Sequence, residues 1–77
     1  MFSTVAINKA YAIAATERRI AEHCAARASA FDYLATPGQD DAFYEWHERT
    51  LKAIERALPE MQREIESIRS APWHEWN

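Results

Sequence analysis

The stretch of sequence that decides the fold is residues 44–68, YEWHERTLKAIERALPEMQREIESI. Mostly apolar side chains recur along it in two series with a period of seven residues, offset from each other by three. The first series is Tyr44, Leu51, Leu58 and Ile65, and the second is His47, Ile54, Met61 and Ile68. Positions spaced alternately three and four apart form one stripe on an α-helix, and a sustained seven-residue repeat is typical of a coiled-coil seam. The pattern predicts a long helix whose stripe another helix covers.

Size and composition place this helix in a small all-α domain. A chain of 77 residues forms one domain with a marginal core, which disulfides, a metal or oligomerisation commonly support. Cys24 is the only cysteine, so an internal disulfide is impossible, and a lone cysteine favours a reducing cytoplasm. The single glycine and the abundance of helix-forming residues predict two long antiparallel helices. We expect this αα-hairpin to dimerise into a four-helix bundle.

The first helix is predicted over residues 4–35 and carries two apolar rows. The row expected to cover the seam comprises Ala6, Ala10, Ile13, Ile20, Cys24, Phe31 and Leu34, and Glu17 and Arg27 interrupt it. The second row has Ile7, Ala14, Ala21 and Ala28 at seven-residue spacing, with Tyr11 and Ala25 between them. Small side chains let another helix approach closely, and one partner cannot use both rows. The candidate dimer interface is therefore Ile7, Ala14, Ala21, Ala25 and Ala28.

Residues 36–41, TPGQDD, are predicted to form the turn. Two starts of the second helix are compatible with this segment: a capping box of Thr36 and Gln39, or a cap at Asp40 or Asp41. The second helix is expected over residues 41–70, bent near Pro59, with an aromatic tail over residues 71–77. A short turn makes the helices antiparallel. The predicted neighbours are Ile20 with Leu58, Cys24 with Ile54, and Ile13 with Ile65.

No catalytic, cofactor-binding or metal-binding site is expected. His47 and Glu48 begin like the helical zinc-protease motif, but Leu51 occupies the position of its second histidine. No histidine follows a glutamate by three residues, as a di-iron bundle requires. His23 and Cys24 are adjacent and point about 100° apart on a helix, so they are poorly placed as base and nucleophile. We therefore predict a protein that is not an enzyme.

Large aromatic residues away from the seam are the candidates for binding a partner. Phe43 and Trp46 lie near the turn, and Trp73 and Trp76 lie at the opposite end of the hairpin. Tryptophan is enriched at interaction hot spots, so these four residues are predicted to bind an unidentified host or cellular protein. For Trp73 and Trp76 a packing role against the start of the first helix remains the alternative.

Charge and hydropathy restrict the remaining classes of partner. The formal net charge is −3, which disfavours nucleic acid. The longest apolar run, residues 10–15, is far below the ~20 residues that span a bilayer, and no signal peptide is expected. Two alternatives to a protein-binding module remain. One is a DNA-associated regulator that uses the row of Arg49, Arg56 and Arg63, although nearby glutamates favour a solvated mixed-charge face. The other is a structural subunit of a larger assembly.

The length, the helical hairpin rich in Ala, Glu and Arg, and segments such as residues 14–22, AATERRIAE, resemble the small accessory proteins of bacteriophages. Among these are helical-hairpin dimers that inhibit host regulators, such as the quorum-sensing anti-activator of Pseudomonas phages. The resemblance is architectural and covers most of the chain, and it carries over no residue roles. It implies inhibition of a host protein in the cytoplasm.

Overall fold

The computed structural model describes residues 4–72, which form two helices joined by a short turn. Helix α1 spans Thr4–Leu34 and helix α2 spans Asp41–Ser70, and no strand occurs between residues 4 and 72. The helices pack side by side in opposite directions in a molecule of 58 × 19 × 13 Å. The predicted all-α fold and the αα-hairpin are confirmed.

The heptad stripe of α2 is the side that packs against α1. Its buried members are Ile54, Leu58, Met61, Ile65 and Ile68, and its half-buried members are Tyr44, His47 and Leu51. The centre of the core is the cluster of Ile54, Leu58 and Met61, against which Ile20, Cys24 and Ala57 pack. Burial of one such aliphatic side chain contributes about 1.5–3 kcal/mol. The predicted positions of Ile20 and Cys24 opposite this part of α2 agree with the cluster.

The side of α1 that faces α2 differs in part from the predicted row. Ala6, Ala10 and Phe31 are exposed, whereas Val5, Thr16 and Ala30 are buried. The half-buried Ile13, Ile20 and Leu34 belong to both the predicted and the observed side. Alanine contributes little to burial, so these three larger residues are compatible with a range of rotations about the helix axis.

Polar interactions flank the side of α1 that faces α2. The observed side lies between Glu17 and Arg19, which form ion pairs with α2 on opposite flanks, Glu17 with Arg69 at 3.9 Å and Arg19 with Glu64 at 3.5 Å. The buried Thr16 hydroxyl donates to the Ala12 carbonyl oxygen at 3.0 Å, so its polar atom has a partner within the helix. These ion pairs are exposed and contribute at most about 1 kcal/mol each, so they agree with the rotation of α1 and do not set it.

The turn is held by one tyrosine and one aspartate. The Tyr44 hydroxyl donates to the Thr36 carbonyl oxygen and accepts from the Gln39 N–H at 3.3 Å. The Asp40 carboxylate accepts from the Phe43 N–H at 2.9 Å, so Asp40 is the N-cap of α2. Gly38 has a φ of +81°, a conformation that favours glycine. Of the two starts that the sequence allowed, the structure has the cap at Asp40.

At the opposite end of the hairpin, Lys9 of α1 donates to the carbonyl oxygen of Ala71, the C-cap of α2. A cation at this position also interacts favourably with the helix dipole. Helix α2 runs through Pro59 without interruption, which agrees with one helix in place of two. The bend expected near Pro59 stays a prediction.

The core of the hairpin is thin. No large side chain among residues 4–72 is completely shielded from solvent. The chain exposes 5865 Å², whereas a compact monomer of 8.9 kDa is expected to expose about 4,800 Å². Neither described helix is apolar over a length sufficient to cross a membrane. Two helices in one layer cover one side of each other and leave the other sides in solvent.

Candidate protein-binding surfaces

The first candidate surface, which we name the α1 outer face, comprises Ile7, Tyr11, Ala14, Ala21, Ala25 and Ala28. It lies on the side of α1 that points away from α2, and all six residues are exposed. Ile7 is 44% exposed and Tyr11 is 73% exposed. Arg18 interrupts this row between Ala14 and Ala21. Isolated apolar side chains on a surface are ordinary, but a row of this length is a candidate interaction site. The structure thus places all five dimer-interface candidates together on an uncovered surface.

The wider part of the α1 outer face contains a shallow groove. Its lining among the described residues is Ala6, Ile7, Ala10, Tyr11 and Ala14, and almost all of its surface is apolar. The small alanine side chains form the floor, and the larger Ile7 and Tyr11 side chains stand beside it. Such a groove accepts apolar side chains of another protein more readily than a polar ligand.

The second candidate surface, the aromatic tip, comprises Tyr33, Phe43 and Trp46, at the end of α1 and the start of α2. The Tyr33 ring stacks on His47 with centroids 4.4 Å apart, and Phe43 meets the edge of the same His47 at 4.5 Å. Tyr33 and Phe43 are 6.0 Å apart in an edge-to-face arrangement. These ring contacts join the two helices and orient the aromatic side chains before any partner binds.

The members of the aromatic tip differ in how accessible they are. Phe43 is half-buried by its ring contacts, whereas Trp46 is 64% exposed. Tyr33 is 48% exposed, and Phe31, which points to the opposite flank of α1 and lies outside the tip, is 51% exposed. Sequence reasoning missed these two as surface residues because Phe31 was assigned to the covered row and Tyr33 to no row. Trp73 and Trp76, the other two candidates, lie outside the described residues.

Charge separates the aromatic tip from the rest of the hairpin. Residues 31–48 contain five carboxylates and no lysine or arginine, namely Asp32, Asp40, Asp41, Glu45 and Glu48. Since the whole chain carries a formal charge of −3, residues outside this segment carry a net charge of +2. Cations flank this segment on both helices, with Arg27 on α1 and Arg49 and Lys52 on α2, where Lys52 pairs with Glu48 at 3.2 Å. The tip therefore combines exposed aromatic rings with a negative potential.

The histidines and the cysteine that could take part in catalysis or bind a metal make structural contacts. His23 donates from Nδ1 to the Arg19 carbonyl oxygen at 2.8 Å, and the neighbouring Cys24 packs against the core cluster. His47 lies between aromatic rings, as described above. Residues 4–72 contain no group of three or more side chains able to hold a metal ion.

The arginine row on α2 lies in a mixed-charge surface. Arg49 lines a shallow surface depression with Glu45, Glu48 and Lys52, and its Nε donates to the Glu45 carbonyl oxygen at 3.5 Å. On the same surface Glu48 and Lys52, four residues apart, form an ion pair. Acidic and basic groups alternate here, so the surface has no extended positive region of the kind that binds phosphates.

Comparison with protein-family models, with curated proteins and with solved structures found no match for this chain.

Proposed function

We propose that this chain is a non-enzymatic protein-binding module that self-associates through the α1 outer face and modulates a host or cellular protein through the aromatic tip. The observation that carries the proposal is the exposed apolar row on α1. The hairpin has a single thin seam as its core, yet a second apolar surface, with Ile7 and Tyr11 at one end, faces solvent. Covering that surface with protein removes apolar area from water and supports a marginal core.

The aromatic tip supports the second half of the proposal. Trp46 and Tyr33 are large, exposed and held on helices, so they can bury apolar area in a partner at a low cost in conformational entropy. The carboxylates around them favour a partner surface that is basic and has an apolar cleft. The proposed mode of action is occupation of such a surface, which prevents the partner from binding its normal ligand. This mode agrees with the inhibition of a host protein in the cytoplasm that the architectural resemblance implies.

The experiment is an affinity purification of the tagged chain from cells of its natural host, followed by reconstitution with the recovered protein. Wild type is compared with Trp46→Ala and with Gln62→Ala, a control that alters an exposed residue of α2 far from the tip. We expect Trp46→Ala to weaken the reconstituted complex by at least tenfold and Gln62→Ala to leave it unchanged. Raised salt is expected to slow association, because the tip is acidic.

Recovery of a stoichiometric partner with equal affinity for wild type, Trp46→Ala and Tyr33→Ala would remove the aromatic tip from the proposal. The proposal of a non-enzymatic protein would be overturned if no stoichiometric partner is recovered and the purified chain turns over a substrate.

The two alternative functions that the sequence left open have less support than a protein-binding module. A DNA-associated regulator would need Arg49, Arg56 and Arg63 to form a positive surface, but Arg49 lies among glutamates. The absence of a gel shift at low salt would dismiss this class. A structural subunit of a larger assembly would co-purify with other components at fixed stoichiometry, and its binding would not depend on the tip.

A further inference from the structure

The α1 outer face is asymmetric in the size of its side chains. Its N-terminal half carries the bulky Ile7 and Tyr11, and its C-terminal half carries only the alanines at 21, 25 and 28. A parallel neighbour with the same face would set bulk against bulk at one end and leave a gap at the other. An antiparallel neighbour sets the bulky end of each face against the small end of the other, with Tyr11 against an alanine, and so packs more closely than a parallel neighbour. The face is therefore complementary to an inverted copy of itself.

The charges on and beside the face also favour an inverted second copy of this chain as the molecule that covers it. Helix α1 has no acidic residue in its first turn, and Asp32 lies in its last turn, where its own helix dipole disfavours a carboxylate. An inverted copy places its Asp32 beside Ile7, next to the amide groups of the first turns of α1, where negative charge is stabilising. Both copies gain this contact, because the arrangement is symmetric.

The charges also select one register. Pairing Tyr11 with Ala28 of the second copy and Ala14 with its Ala25 puts a two-fold axis between residues 19 and 20. In this register Arg18, which lies within the row between Ala14 and Ala21, and the exposed Glu22 beside it lie opposite Glu22 and Arg18 of the second copy. A shift by one heptad in either direction removes these two reciprocal ion pairs. One shift sets Ile7 against Ala25 and Tyr11 against Ala21, and the other moves Ile7 and Tyr11 beyond the C-terminal end of the second copy's α1.

From these observations we infer that a second copy of this chain covers the α1 outer face, with its α1 antiparallel and a two-fold axis between residues 19 and 20. The inference rests on the self-association in the proposed function and specifies its geometry. Since the face points away from α2, the two α2 helices lie on the outside, and four helices form one layer about twice the 19 Å width of a single hairpin. This differs from a closed four-helix bundle.

The size of the contact sets the expected affinity. From Ile7 to Asp32 the face is about 38 Å long at ~1.5 Å per residue, and a helix contact is roughly 10 Å wide. The two copies then bury about 800 Å² in total, below the range of stable complexes. A dimer with a dissociation constant in the micromolar range is the expected result.

Cysteine cross-linking tests the arrangement in a Cys24→Ser background, with helicity checked by circular dichroism. Ala14→Cys mixed with Ala25→Cys is expected to form a cross-linked dimer on oxidation. Each variant alone is expected to stay uncross-linked, because its two copies lie about 16 Å apart along the axis. Cross-linking within the single-variant samples and not in the mixture would overturn the antiparallel arrangement, while self-association and the proposed function would stand.

Sedimentation with a matched pair of variants tests the face itself. Ala25 and Ala26 are adjacent, exposed and equal in helix propensity, but only Ala25 belongs to the face. Ala25→Glu is expected to raise the dimer dissociation constant by at least tenfold, and Ala26→Glu by less than twofold. Equal effects of the two variants would overturn the inference. A wild-type chain that remains monomeric at a concentration 100-fold above the expected micromolar dissociation constant would also overturn the inference. That outcome would not bear on partner binding by the aromatic tip, which is a separate part of the proposed function.

Discussion

Truncation of Leu58 to alanine is the sharpest test of where the stability of the hairpin resides. Leu58 is buried in the central cluster with Ile54 and Met61. Leucine-to-alanine changes in cores cost about 2–5 kcal/mol, and a one-layer core that water can reach places this one at the lower end, about 2–3 kcal/mol. The whole domain is expected to have about 4–11 kcal/mol of stability. One side chain in the cluster therefore accounts for a large part of it.

Leu51→Ala is the matched control. Leu51 occupies the same heptad series, one repeat closer to the turn, and it is only half-buried. The change in helix propensity is the same for both variants, so the difference between them reports burial alone. We expect Leu51→Ala to cost about 1 kcal/mol.

Urea unfolding followed by circular dichroism at 222 nm is the assay, repeated at several protein concentrations to separate the contribution of self-association. With a slope of about 1 kcal/mol per molar urea, Leu58→Ala should lower the midpoint by about 2–3 M and Leu51→Ala by about 1 M. Equal shifts, or a larger shift for Leu51→Ala, would refute the assignment of the core centre to the Ile54, Leu58 and Met61 cluster.

Two further predictions concern α2. Asp40→Ala removes the carboxylate that accepts from the Phe43 N–H and should lower the free energy of unfolding by about 1 kcal/mol. Asp41→Ala keeps the cap and should lower the free energy of unfolding by less than half of that amount. Equal losses for the two variants in thermal melts would contradict the assignment of Asp40 as the N-cap. Pro59→Ala should raise the melting temperature, because Pro59 is exposed inside the helix and alanine restores a backbone N–H donor. The expected gain in the free energy of unfolding is about 1–3 kcal/mol. A lower melting temperature would mean that Pro59 makes a stabilising contact.

The candidate surfaces were predictable to different degrees. The exposure of Trp46 follows from its position one residue before the seam residue His47, which turns it to the flank of α2. The half-burial of Phe43 does not follow from its own helix, because Tyr33 on the other helix provides part of its contacts. The acidic character of the tip is visible in the composition of residues 31–48 alone, but the hairpin brings both ends of that segment together.

The sequence by itself determined the architecture and the buried side of α2. Large side chains at a strict seven-residue spacing bury far more apolar area on one side of that helix than on any other, so no competing rotation has a similar free energy. The turn residues then left only an antiparallel arrangement. For α1, only the tertiary structure decided which side faces inward. Alanine rows on several sides differ little in burial energy, and in the structure Val5, Ile13, Ile20 and Leu34 pack toward α2. The polar contacts of Lys9, Glu17 and Arg19 with α2 flank this side. That rotation of α1 is what leaves Ile7, Tyr11 and the alanine row facing outward.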